Sequence, residues 1–140
     1  MIVSRIKQGL TYIFCKYNSK NDKVVKIILN KDEFKIFKKM SEYDKIHSFN
    51  LYKRVKHNKV LKKDPLYLKL ALLHDCGKEN YSLIRRIKKV LIGDKKLENH
   101  SELSYEKLKN INLDLARKAR EHHMENLNFK MEIFKKLDNK

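Results

Sequence analysis

The sequence is poor in the residues that interrupt helices, and it has no long apolar run. Three glycines and one proline among 140 residues are too few for a β-sandwich or barrel, which needs a turn between successive short strands. No stretch approaches the ~20 consecutive apolar residues that cross a bilayer, and none alternates long enough to predict a strand. Apolar residues recur instead with helical spacing. We therefore expect an all-α globular fold without a membrane span.

Cysteine is also scarce. Cys15 and Cys76 are far apart and form no Cys-x-x-Cys pair, which favours reduced thiols over a disulfide framework. The basic residues 1–7 resemble the start of a secretory signal, but the apolar stretch 10–15 is too short and no small-residue cleavage site follows. These features predict a cytoplasmic protein.

Positive charge is abundant, with a formal net charge of +17. Such a field attracts phosphate-bearing partners, which are nucleotides, nucleic acid or an anionic membrane surface. Lysine greatly outnumbers arginine, however, and specific nucleic-acid readers favour arginine for bidentate contacts. Codon drift in an A/T-rich genome would produce the same lysine excess. The charge therefore leaves a functional surface and compositional drift as alternatives.

Helix signals follow one another along the whole chain. Ser41 has the form of an N-cap for a helix that runs to about His57. Asp64 and Pro65 are the clearest start signal, and the helix they open is apolar on nearly every side, so we expect it to be central, with Gly77 stopping it. Further helices are predicted at about residues 2–18, 24–29, 32–38 (started by Asp32 or a residue near it), 82–92 (ended by Gly93), 101–110, 113–124 and 128–139.

A buried carboxylate is predicted at the end of the central helix. Burying the Asp75 carboxylate there without a partner would cost several kcal/mol in desolvation, so it needs a cation. A divalent metal would supply the positive charge, and imidazole with carboxylate ligands suits Mn, Fe, Ni or Zn. Further His and Asp residues recur roughly 16–27 residues apart, a spacing that brings one ligand per helix to a common point. The candidate metal ligands are His47, His74, Asp75, His100, His122 and Asp138, with His123 as a possible addition.

The order of these residues resembles the HD superfamily of metal-dependent phosphohydrolases. The run Leu-Leu-His-Asp-Cys-Gly-Lys at residues 72–78 is similar to the family's "LLHDIGK" core. Residues 44–55 resemble its first His motif, 100–105 its "HPEIGA" stretch, 119–123 its double-His stretch and 134–138 its closing Asp motif. Ser101 and Ser104 depart from the usual Pro and Gly. The N-terminal forty residues look like those of small stand-alone bacterial HD proteins of the HDIG-like kind.

This resemblance implies a fold, a metal centre and a reaction. The fold would be an orthogonal helical bundle of the HD type, with an N-terminal extension (1–40) packed on an HD core (41–140). His47, His74, Asp75 and Asp138 would hold a first metal, with Asp75 bridging, and His100 and His122 a second. One or two ions of Mn, Fe, Ni, Zn or Mg would activate a water toward a small, nucleotide-like phosphate ester. Asp75 and Lys78 would be the catalytic residues, with Lys78 as the cation for the scissile phosphate.

The sequence also bears on two branches of the HD superfamily and on two alternative functions. Residues 124–129 lack the Gly-Tyr-Pro of the cyclic-di-GMP phosphodiesterases, and residues 78–80 lack the Glu-Asp pair of the guanosine tetraphosphate hydrolases, so both branches are disfavoured. A di-iron oxygenase would use nearly the same ligands, although Lys78 and the basic charge favour phosphate. A non-catalytic nucleic-acid or scaffold module would be expected to have lost ligands. The sequence does not determine the oligomeric state.

Overall fold

A computed structural model describes residues 3, 7, 15–80, 100–125 and 128–139. These residues form helices and turns with no strand among them, which confirms the all-α prediction. The helix predicted at residues 82–92, with Gly93, lies outside the described residues. Of the helix predicted at about residues 2–18, only residues 3 and 7, which are helical, and 15–18, which are not, are described. The described α-helices are α1 (Asp22–Ile28), α2 (Lys31–Lys38), α3 (Glu42–Lys56), α4 (Pro65–Leu73), α5 (His100–Leu108), α6 (Leu113–Glu121) and α7 (Phe129–Asp138), with 3₁₀ turns at Ser19–Asn21, Leu61–Lys63 and Cys76–Asn80.

The helix starts follow local capping chemistry. The Ser41 hydroxyl accepts a hydrogen bond from the Asp44 backbone N–H at 3.1 Å, and Asp64 caps α4 with Pro65 at its first position, both as predicted. The cap of α2 is Asn30 rather than Asp32. Asn30 and Glu33 form a reciprocal capping box, with both hydrogen bonds at 2.8 Å, because Glu33 stands at the third helical position.

Helix α4 is the centre of the described fold. Its Leu70, Ala71, Leu72 and Leu73 side chains are fully buried, which confirms that this apolar helix is central. It packs against α3, α6, α1 and α2. Burying each leucine stabilises the fold by about 1.5–3 kcal/mol, so α4 is a rigid support for whatever follows its C-terminal end.

The prediction that Gly77 stops α4 is wrong. The helix ends at Leu73, and Gly77 lies inside the following 3₁₀ turn. A Cβ atom at Gly77 would stand 2.3 Å from the His100 carbonyl oxygen and 2.6 Å from the Ser104 backbone nitrogen. Glycine is needed here because α5 approaches this turn too closely for any side chain.

The described helices are too short or too polar to cross a membrane. No helix among them combines the length and the apolar character that a bilayer span requires.

Candidate metal centre

Five of the six histidines and two aspartates come together from five helices, His47 from within its helix and the others from helix ends. His47 lies on α3, the His-Asp pair follows α4, His100 begins α5, the double His follows α6, and Asp138 ends α7. Every residue predicted as a ligand is therefore brought to one region; the remaining histidine, His57, caps the end of α3 and is exposed. The seven side chains are His47, His74, Asp75, His100, His122, His123 and Asp138.

A first group consists of His47, His74 and Asp138. The Asp138 Oδ1 atom lies 3.0 Å from His47 Nε2 and 3.3 Å from His74 Nε2. Each residue can offer one ligand atom, and these atoms all lie within 4.8 Å of one another. Two imidazoles and a carboxylate at this spacing can share one divalent cation.

A second group consists of Asp75, His100, His122 and His123. The Asp75 Oδ1 atom lies 3.0 Å from His100 Nε2 and 3.7 Å from His122 Nε2. The exposed His123 approaches the cluster from outside, with its Nε2 3.0 Å from His100 Nε2. This arrangement joins three imidazoles to one carboxylate.

Asp75 stands between the two groups. Its Oδ2 atom lies 3.2 Å from His74 Nε2 and 3.9 Å from His47 Nε2, whereas its Oδ1 atom faces His100. One oxygen of the carboxylate is thus turned toward each group. This is the geometry that a bridging carboxylate requires.

Two buried imidazoles are held with their Nε2 atoms pointing into the cluster. His74 Nδ1 lies 3.1 Å from the Ala71 carbonyl oxygen, and His122 Nδ1 pairs with the Ala119 carbonyl. A proton on each Nδ1 leaves a lone pair on Nε2. Both Nε2 atoms are buried, and neither makes a hydrogen bond of regular geometry within the described residues, although an Asp75 oxygen lies 3.2 Å from that of His74 and 3.7 Å from that of His122. Because buried polar atoms normally have well-formed hydrogen bonds, these two atoms fit a metal ion.

The carboxylates of the cluster are ionised. Burial alone would raise the pKa of Asp75, but His74 and Lys78 hold it well below its usual range. The pKa of Asp138 is likewise lowered against the effect of burial by His74 and His47. Burial would lower the pKa of His74, yet the two carboxylates raise it to about 10. The cluster therefore demands positive charge, which a proton on His74 supplies when no metal ion does.

The double His remains neutral. Burial lowers the pKa of His122 more than Asp75 raises it. Burial, then the neighbouring His122 and His100, lower the pKa of His123 to about 4. Neutral imidazoles at neutral pH are the form that binds a metal ion.

Lys78 lies beside the bridging carboxylate. Its Nζ atom is 3.2 Å from Asp75 Oδ2, and its side chain remains 28% exposed. It follows the pair by one 3₁₀ turn, so its ammonium group reaches the edge of the cluster while still contacting solvent.

Two supporting contacts were not predicted from the sequence. Arg54 Nη1 donates to the Leu137 carbonyl oxygen at 2.8 Å, which ties the last turn of α7 to α3. The Ser104 hydroxyl pairs with backbone atoms on both sides of Asp75. Arg54 lies seven residues after His47 and so shares its helix face, a signal that could have indicated it. Ser104 stood out only as a departure from the usual glycine.

The comparisons with known proteins agree with this arrangement. Residues 46–137 match the family model of the HD domain, so the chain belongs to the HD domain family. Membership of this all-α family suggests a metal-dependent hydrolase, and the His and Asp groups could hold its metal. Neither the search of curated proteins nor that of solved structures found a match.

Proposed function

We propose that this HD-domain protein is a divalent-metal-dependent phosphohydrolase acting on a nucleotide or a related phosphate ester. The observation that carries the proposal is the pair of buried Nε2 atoms, on His74 and His122, that face Asp75 from opposite groups without a hydrogen bond of regular geometry in the described chain. The Nδ1 atom of each ring pairs with a backbone carbonyl, as is usual for a histidine that binds a metal through its other nitrogen.

One or two ions of Mn, Fe, Ni, Zn or Mg would be held by the two groups. His47, His74 and Asp138 would hold one ion, His100 and His122 the other, and Asp75 would bridge them. A divalent ion bound here supplies an activated water near neutral pH and polarises a phosphoryl oxygen. His123, at the exposed edge of the second group, can complete that ion's ligands or contact the substrate.

Lys78 would stabilise the charge that spreads over the phosphoryl oxygens during transfer. Its Nζ atom lies 3.2 Å from the bridging carboxylate, and its side chain is partly exposed, so a phosphate that reaches the cluster from solvent meets it. A preorganised cation of this kind is worth about 100- to 1,000-fold in rate. The net charge of +17 would also raise the local concentration of any phosphorylated substrate.

Metal analysis and a phosphate-release screen test the proposal together. We expect the purified protein, loaded with Mn²⁺, to release phosphate or a phosphorylated fragment from at least one nucleotide or phosphate ester. Lys78→Ala should lower kcat about 100-fold and leave the bound Mn²⁺ unchanged. Lys109→Ala is the control, because Lys109 is a partly exposed lysine that pairs with Glu106, and it should retain full activity.

Two outcomes would overturn the proposal, and a third would remove one of its residue roles. A metal-loaded protein that hydrolyses nothing yet consumes oxygen would be a di-iron oxygenase. A protein that binds no divalent ion but retains nucleic acid would be a non-catalytic basic module. Equal loss of activity in the two lysine variants would remove the specific role of Lys78.

A further inference from the structure

We propose that the Ser104 hydroxyl is a positioning group that sets the distance between the two halves of the metal centre. This inference rests on the proposed metal centre but concerns a residue that is not itself a ligand. Ser104 lies on α5, one helical turn after His100, and its side chain is fully buried.

The hydroxyl makes two short hydrogen bonds to the backbone of the His-Asp turn. It donates to the His74 carbonyl oxygen at 3.0 Å and accepts from the Gly77 backbone N–H at 2.8 Å. A serine hydroxyl has one proton to donate and lone pairs to accept, so both roles are filled at once. Neither bond belongs to the regular hydrogen-bond pattern of a helix.

These two bonds hold the backbone on either side of Asp75. The carbonyl that precedes Asp75 and the amide two residues after it are both tied to the helix that carries His100. The Asp75 Oδ1 to His100 Nε2 distance of 3.0 Å is therefore set through a short, buried connection. Gly77 permits the same close approach, because a Cβ atom there would meet the backbone of α5.

Removing the hydroxyl would leave a buried N–H and a buried C=O without that partner. A buried polar group without a partner is costly, so the turn is expected to move until its amide finds another acceptor. The Ser104 hydroxyl contacts the first group only at the His74 backbone carbonyl, and the His74 ring has its own anchor at the Ala71 carbonyl. The Asp75–His100 pair, in contrast, spans the very connection that the hydroxyl makes. The effect should therefore fall on the second group. Mutating a residue that orients a metal ligand typically lowers metal affinity about 10- to 100-fold.

Mn²⁺ titration by calorimetry, without substrate, tests this inference. His100→Ala first identifies the binding step that belongs to the second group. Ser104→Ala should weaken that step about tenfold and leave the other step unchanged. Ser48→Ala is the matched control, because Ser48 is also fully buried and its hydroxyl has no hydrogen-bond partner in the described ranges. It should bind Mn²⁺ as the wild type does.

A second variant keeps the experiment decisive if Ser104→Ala does not fold. Ser104→Cys retains nearly the same shape but donates and accepts weakly, and it should weaken the same step. Unchanged Mn²⁺ binding in a folded Ser104 variant, or equal weakening of both steps, would overturn the inference and leave the proposed function intact. A wild-type protein that binds no Mn²⁺ would instead refute the metal centre, and the inference with it.

Discussion

Glu33 and Asp75 are two buried carboxylates that the fold neutralises in different ways. Glu33 is fully buried and accepts hydrogen bonds from Lys69 Nζ at 2.9 Å, the Asn30 N–H at 2.8 Å and Asn112 Nδ2 at 3.1 Å. Every contact is a donor supplied by the chain. Asp75 is 3% exposed and faces mainly imidazole nitrogens.

This difference distinguishes Glu33, a carboxylate that the chain itself satisfies, from Asp75, the carboxylate of the proposed metal centre. The Glu33 cluster is complete, because a lysine and two amides satisfy the carboxylate. The Asp75 cluster includes two imidazole nitrogens, on His74 and His122, that make no hydrogen bond of regular geometry within the described chain. Buried polar groups are normally satisfied, so the Asp75 cluster is the one that could hold an ion.

The largest expected effect comes from removing the charge of Asp75. Asp75→Asn keeps the shape of the side chain but cannot neutralise a cation, so Mn²⁺ affinity should fall by about 100-fold or more, beyond what changes around a metal centre cost. Calorimetric titration measures this directly. Glu33→Gln is the comparison variant and should bind Mn²⁺ as the wild type does; similar losses in both would erase the distinction between the two clusters.

A smaller effect, on stability rather than on metal binding, is expected at Glu33. Glu33→Gln should lower the free energy of unfolding by about 2 kcal/mol at pH 7, because hydrogen bonds to a charged group are lost in a buried setting. Urea unfolding of the metal-free protein provides the measurement. Glu132→Gln is the control, since Glu132 pairs with Lys135 at the surface and such pairs contribute about 1 kcal/mol or less. An equal cost in both variants would contradict a structural role for Glu33.

The smallest expected effect is a pH dependence of the difference in unfolding free energy between the wild type and Glu33→Gln. Burial would raise the pKa of Glu33, but hydrogen bonds from Asn30, Lys69 and Asn112 lower it below its ordinary value of 4.5. A carboxyl with a lowered folded-state pKa stabilises the fold above its ordinary pKa, and that stability is lost as the pH falls through the folded value. The gap between wild type and Glu33→Gln should hold from pH 7 to 6 and shrink from about pH 5 downward. A gap that stayed constant to about pH 3.5 would be inconsistent with this.

Local sequence signals predicted the helix starts better than the contacts between helices. Ser41, Asp64 and Pro65 were identified as helix starts because capping depends on residues only a few positions apart. Asp75 was predicted as a buried charge because the helix before it is wholly apolar. Gly77 was misassigned, since its role is set by α5, which begins more than twenty residues later. The division into an extension and a core at residue 41 stays a prediction, although Glu33 on α2 does pair with Lys69 on α4.

Helical periodicity and the order of histidines and aspartates were enough to establish an all-α protein with one candidate ligand set, because both are properties of neighbouring or regularly spaced residues. The separation of that set into two groups around Asp75 was decided by packing alone. Packing also places the Nε2 atoms of His74 and His122 around Asp75. The Arg54 contact and the Ser104 hydrogen bonds likewise join atoms from distant parts of the chain. No local pattern records which of these atoms will meet, since that depends on how the helices pack together.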